Sequence, residues 1–150
     1  MAKVGIIVDN EEDLKYIEEA KKILDEFEIC YTVRVISGLD SLEPVNNFLE
    51  EAERENIDVI IVCSGIFVNL AGIIASQTII PVIGVPLPTS NIQTNELIFS
   101  AVQMPEGVPV ACMAIGKSGV KNAVILTLEI ISLKEENLKE KLKEFKSQYI

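Results

Sequence analysis

The chain has 150 residues, one domain's worth, and its 49% hydrophobic and 24% charged content excludes disorder as a description of the whole. Thirteen Lys and Arg stand against 23 Asp and Glu, a net charge of −10, which argues against nucleic acid or an anionic membrane surface as partner. Histidine is absent, which removes the Ser-His-Asp triad, the Cys-His pair and His-ligated zinc.

Val4-Gly5-Ile6-Ile7-Val8 is a continuous apolar run and reads as a strand buried on both faces. Asp9 to Asp13 form a turn and helix start, and Leu14, Ile17, Leu24 and Phe27 fall on one stripe. The spacing predicts a first helix over Glu11–Phe27. Cys30–Ile36, rich in β-branched residues, predicts strand two. Val45, Phe48, Leu49 and Ala52 make the inward stripe of a second helix, and Val59–Cys63 is strand three. A short helix is expected over Leu70–Thr78. Pro81–Pro86 is a fourth strand with prolines marking its ends. Gln93–Val102 reads as a helix, Val108–Ile115 as strand five, and about Val120 to Leu133 as a helix. Residues 135–150 form an amphipathic C-terminal helix with Leu138, Leu142, Phe145 and Tyr149 on one side.

Strands alternating with helices imply parallel pairing with right-handed crossovers. The expected fold is a single α/β domain over 1–150: a flavodoxin-like, three-layer αβα sandwich with sheet order 2-1-3-4-5. Ligands of such folds sit outside the carboxyl ends of the strands, here Asp9–Asp13, Ser37–Ser41, Ser64–Asn69 and Pro86–Thr94. Cys30, Cys63 and Cys112 are odd in number and far apart, and read as three buried thiols of a reducing cytoplasm. No leader pattern precedes the first strand, and no apolar run reaches the roughly 20 residues of a membrane helix. A cytoplasmic location is expected.

The first loop holds four acids and Asn10 in five positions, where a phosphate-binding turn would want Gly and Ser. Two readings are open: a cation site, or an acid-rich helix start favoured by the helix dipole. The dipole reading is preferred, so no metal is expected. In the second loop Ser37, Asp40 and Ser41 could bind a sugar or cap the next helix, and capping is preferred. Cys63 in the third loop has no cation nearby in sequence to make it a thiolate, so a packed thiol is preferred. Gly116-Lys117-Ser118 lacks the Gly that a phosphate loop needs five positions before Lys117, where Cys112 stands. Gly116 and Gly119 are read as turn residues.

Val102-Gln103-Met104-Pro105-Glu106-Gly107-Val108-Pro109-Val110, followed by Ala114-Ile115-Gly116-Lys117-Ser118-Gly119 and Asn122-Ala123, closely resembles the aminoimidazole ribonucleotide carboxylase family. Pro81 to Pro86 and the strand–helix rhythm extend the resemblance over nearly the full chain. Its bacterial members are carboxyaminoimidazole ribonucleotide mutases of purine biosynthesis. The resemblance implies the flavodoxin-like sandwich, an octamer with active sites between subunits, and C-terminal helices packed on neighbouring subunits. That packing would account for the apolar circumference of Ala123–Leu133.

The loops depart from the family pattern. Its Gly-Ser-x-Ser-Asp is here Asp9 to Asp13, with only Asp13 matching. Its Ser-Ala-His-Arg-Thr-Pro is here Ser37 to Leu42, with Leu39 for the proton-carrying histidine and Asp40 for the phosphate-binding arginine. Its small-residue run ending His-Leu-Pro-Gly is here filled by Ile66, Phe67 and Val68 and ends Asn69-Leu70-Ala71-Gly72. By resemblance the ligand-binding positions are Asn10, Asp13, Ser37, Asp40, Ser64, Gly65 and Asn69, with no residue assigned to catalysis, no metal and no cofactor. The expected function is a binding or structural paralogue without mutase activity. Its expected partners are copies of itself, in an octamer, and an intact family member. Two alternatives stay open: altered chemistry through Asp13, Asp40 or Cys63, and a true mutase working without imidazole.

Overall fold

The computed structural model describes residues 1–37, 40–65, 69–88 and 94–149. Five strands, β1 (Lys3–Val8), β2 (Cys30–Val35), β3 (Val59–Ser64), β4 (Val82–Pro86) and β5 (Ala111–Cys112), form one sheet of order β2-β1-β3-β4-β5. All four pairings are parallel, as the alternation of strand and helix patterns predicts. The helices are α1 (Glu18–Glu26), α2 (Glu43–Arg54), α3 (Leu70–Ala75), α4 (Thr94–Val102), α5 (Gly116–Ser132) and α6 (Glu136–Ser147).

The central strands read as unbroken apolar runs because both sheet faces are covered. On one face Val4, Ile6, Val8, Ile61 and Ile83 pack with Ile23 and Leu24 of α1 and with Val124 and Leu128 of α5. On the other, Ile7, Ile60 and Val62 pack with Val45, Phe48 and Leu49 of α2 and with Leu70 and Ile74 of α3. Burying each such side chain contributes about 1.5–3 kcal/mol.

Several local expectations need correction. The first helical segment is α-helical only from Glu18; Glu11–Ile17 is a 3-10 helix. Asn10 starts that tighter turn: its Oδ1 accepts from Glu12 N (3.3 Å) and its carbonyl from Asp13 N (3.1 Å). β2 is an edge strand, so Cys30 at its start is exposed, not buried; Cys112 is half-buried and only Cys63 is fully inside. α3 ends at Ala75, three residues before its expected end. β5 shrinks to two residues, because Pro109 has no N–H for the ladder and lies exposed at the sheet edge.

α5 begins at Gly116, earlier than the apolar pattern suggested, after a turn in which Gly116 has φ +69°. That turn folds Ala114 back over the first turn of α5. A Cβ on Gly119 would stand 2.1 Å from the Ala114 carbonyl oxygen and 2.9 Å from Val85 Cγ1. Gly119→Ala is therefore expected to destabilise the fold by about 3 kcal/mol or more, since backbone must move to admit the methyl. Chemical denaturation against the wild type checks this.

The apolar side of α6 closes on its own chain. Leu138, Leu142 and Phe145 are buried with α1 and α5, and the Phe145 ring meets Phe27 edge-on at 5.3 Å. Tyr149 flanks Phe145 but stays half-exposed. Lys141 Nζ donates to the Glu26 carbonyl, and Lys146 pairs with Glu129. This packing also half-covers Ile125, Leu126 and Ile130 of α5. Among the exposed apolar side chains, Ile98, Phe99 and Val102 lie together on α4, while Leu133 stays exposed just after α5.

Candidate functional site

The β1–β3 register sets Val8 opposite Cys63, so the residues that follow each strand emerge side by side at the carboxyl edge. There Asp9 Oδ2 accepts a hydrogen bond from Gly65 N at 3.0 Å, joining two loops 56 positions apart. Asp13, on the 3-10 turn, hydrogen-bonds to Asp9. Partial burial, that bond and the charge of Asp9 push its carboxyl from 3.8 up to about 6, against a smaller opposing pull from Lys15. Beneath the pair lies Cys63, whose thiol is pushed up to about 12 by burial first and then by Asp13 and Asp9. It stays protonated at neutral pH and is no nucleophile.

Folding favours the protonated form of Asp13. Its contribution to stability is complete below pH 3.8 and is lost as the pH rises through about 6. Asp13→Asn removes the charge and keeps a donor toward Asp9. The variant is expected to gain on the wild type between pH 5 and pH 8 by about 1 kcal/mol, because solvent screens a half-exposed carboxyl. Paired denaturation curves across that range check the sign.

Other site positions serve local structure. Asn10 caps the 3-10 turn. Ser37 and Asp40 are exposed beside the carboxyl end of β2, while Gly38 and Leu39 lie outside the described residues. Ser41 Oγ accepts from Glu43 N at 3.1 Å in the turn before α2, but the N-cap of that helix is Leu42, with no side-chain cap bond, so the expected cap from this loop is not formed. Asn69 caps α3: its Oδ1 accepts from Gly72 N (3.0 Å) and its Nδ2 donates to Met104 Sδ (3.7 Å). Ile66, Phe67 and Val68 lie outside the described residues.

Gly65 also borders a small cleft between α3, α4 and the ends of β3, β4 and β5. Ser64, Asn69, Ser100, Met104 and Cys112 supply its polar and sulfur atoms, and the described lining carries no charge. The structure thus joins Asp9, Asp13 and Gly65 in an acidic corner and Ser64, Gly65 and Asn69 in a neutral cleft. Ser37 and Asp40 make no contact with either in the described geometry of hydrogen bonds and lining. Ser100 and Cys112 were missed as cleft residues; the Val102-to-Val110 motif, which brings α4 and β5 together, was the available signal. Among the described residues no three Cys, Asp or Glu side chains gather as metal ligands. Among them, too, no helix is long and apolar enough to cross a membrane.

The family model described as AIR carboxylase matches residues 3–149. The chain is 42% identical over 146 residues to the N5-carboxyaminoimidazole ribonucleotide mutase of Pyrococcus abyssi, covering 97% of this chain and 83% of that protein. It is 43% identical to the Saccharolobus solfataricus protein of the same name, covering 97% and 90%. It is 40% identical to that of Thermotoga maritima, covering 99% and 85%. The crystal structure of Treponema denticola PurE shares the fold, with TM-score 0.87 at 24% identity over 99% of this chain and 92% of that one. A match from the first strand to the last helix, with relatives above 40% identity along its length, leaves one assignment: the chain belongs to the AIR carboxylase family.

Proposed function

We propose that this chain keeps the fold of its family and has lost the mutase reaction, and that it works in the cytoplasm as a homo-oligomeric binding or structural paralogue, an octamer. The carrying observation is that the chain contains no histidine, with Leu39 at the family's proton-carrying position. Two features support it. Asp40 reverses the charge of the phosphate-binding arginine. Asp9 holds the Gly65 N–H with a carboxylate, beside Glu12 and Asp13, where an incoming phosphate meets repulsion. The retained Val102-to-Val110 motif and the exposed Ile98, Phe99 and Val102 of α4 support an assembly surface, open to copies of the chain or to an intact family member. The test is direct turnover of N5-carboxyaminoimidazole ribonucleotide, with an intact family enzyme as control.

Identity above 40% to proteins named as mutases favours a second reading, a mutase without imidazole. Asp13 would then carry the proton, because a carboxyl near pH 6 suits transfer at neutral pH. Of the residues open to altered chemistry, Asp13 and Asp40 remain; the Cys63 thiol is too weak an acid.

A further inference from the structure

We propose that Asp9 is an internal ligand: its carboxylate occupies the Gly65 amide at the β1–β3 edge and keeps free oxyanions, carboxylate or phosphate, out of that position. The inference deepens the proposed function and rests on reading this edge as an altered ligand site.

The contact joins separate loops. Asp9 follows β1, and the parallel register, which sets Val8 opposite Cys63, places it across from Ser64, so its side chain reaches over to the next residue, Gly65, in an ordinary charge-assisted bond of 3.0 Å. Asp13 bonds the same carboxylate. Below about pH 6, where Asp13 is protonated, the Asp9 carboxylate is held by a backbone N–H and a side-chain donor, the surroundings of a bound carboxylate ligand; above it Asp13 adds a second negative charge. Because Asp9 is fixed to β1, its local concentration at Gly65 exceeds that of free anions in solution. Glu12, Asp13 and Asp9 are the acids at this corner, Lys15 the cation acting on Asp13, and Cys63 stays neutral beneath them. A second anion is repelled. On its other side Gly65 borders the cleft, whose described lining carries no charge.

The experiment follows the Gly65 amide by ¹⁵N NMR in the full chain during titration with sodium acetate, and separately with inorganic phosphate, at constant ionic strength. The proteins are the wild type, Asp9→Asn, Asp9→Ala and Asp9→Ala with Asp13→Asn, which also removes the charge of Asp13. The wild type and Asp9→Asn, which keeps an acceptor for Gly65, are expected to stay unresponsive. The double variant is expected to respond saturably, with affinity at least about tenfold above the wild type. The single Asp9→Ala variant is expected to fall between them. Stronger response to phosphate than to acetate, or the reverse, assigns the excluded oxyanion. Thermal melting is the second readout: the anion raises the Tm of the double variant alone. A wild-type amide that responds as strongly as the double variant overturns the inference, as does a folded double variant whose Gly65 amide is solvent-accessible yet unresponsive. Mutase turnover by the wild type would retire the proposed function while leaving these titrations to stand or fall separately.

Discussion

Purified chain mixed with N5-carboxyaminoimidazole ribonucleotide is expected to give no ultraviolet change above the uncatalysed rate, while an intact family enzyme converts it in the same cuvette. A positioned acid or base commonly gives about a hundredfold to ten-thousandfold, and Leu39 can neither give nor take a proton. On the proposed reading Asp40 stands where the family has an arginine, and a carboxylate there would repel a phosphate. Leu39→His with Asp40→Arg is not expected to restore full activity. The acids of the first loop remain, Asp9 still holds Gly65, and Ile66, Phe67 and Val68 still replace small residues. Turnover within about tenfold of the control enzyme would sink this reading. Loss of that turnover in Asp13→Asn, with a pH–rate midpoint near 6 in the parent, would then identify Asp13 as the proton carrier.

The second large effect concerns assembly. Light scattering is expected to show a wild-type particle larger than a dimer, and Phe99→Asp or Val102→Asp is expected to reduce it to folded monomers. Phe99 is 62% exposed and Val102 64%, so neither is needed by its own chain's core. Covering each in an interface contributes about 1.5–3 kcal/mol, and a carboxylate there reverses the sign. Leu126→Asp and Ile130→Asp should behave differently. Both side chains are half-buried against the core that α1, α5 and α6 share, so a charge there lowers the melting temperature as well. A wild-type monomer at micromolar concentration, or Phe99→Asp leaving the particle unchanged, would contradict the assignment of this face.

The sheet was legible because β1, β3 and β4 are covered on both sides, and two-sided burial writes itself as unbroken Ile and Val. The edges were less so. Cys30 sits in a β-branched run like the others, and only its place on the outer strand leaves it exposed. In β5 the pattern of Val108 and Val110 suggested a long strand, but a proline between them denies the ladder its donor. The start of α5 was misplaced because Gly116 and Gly119 carry no apolar signal; Gly116 takes a positive φ, and Gly119 lets the Ala114 backbone approach. For the site, spacing located the four loops but not the bond between Asp9 and Gly65. Nothing in either local sequence marks the other, and only the strand register brings them together.

The docking of α6 bears on how the chain is made. Glu26 and Lys141 lie 115 positions apart, and Phe27 meets Phe145 across a similar span. During synthesis the ribosome presents α1 long before α6 exists, and the flank of α1 at Phe27 stays wet through the whole interval. Closing so long a loop costs entropy, which the packing of α6 on the adjacent α5 offsets only in part. Nascent chains stalled before Glu136 should therefore hold a greasy strip open to chaperones and to one another, and maturation of the domain waits for its final helix to return to its first.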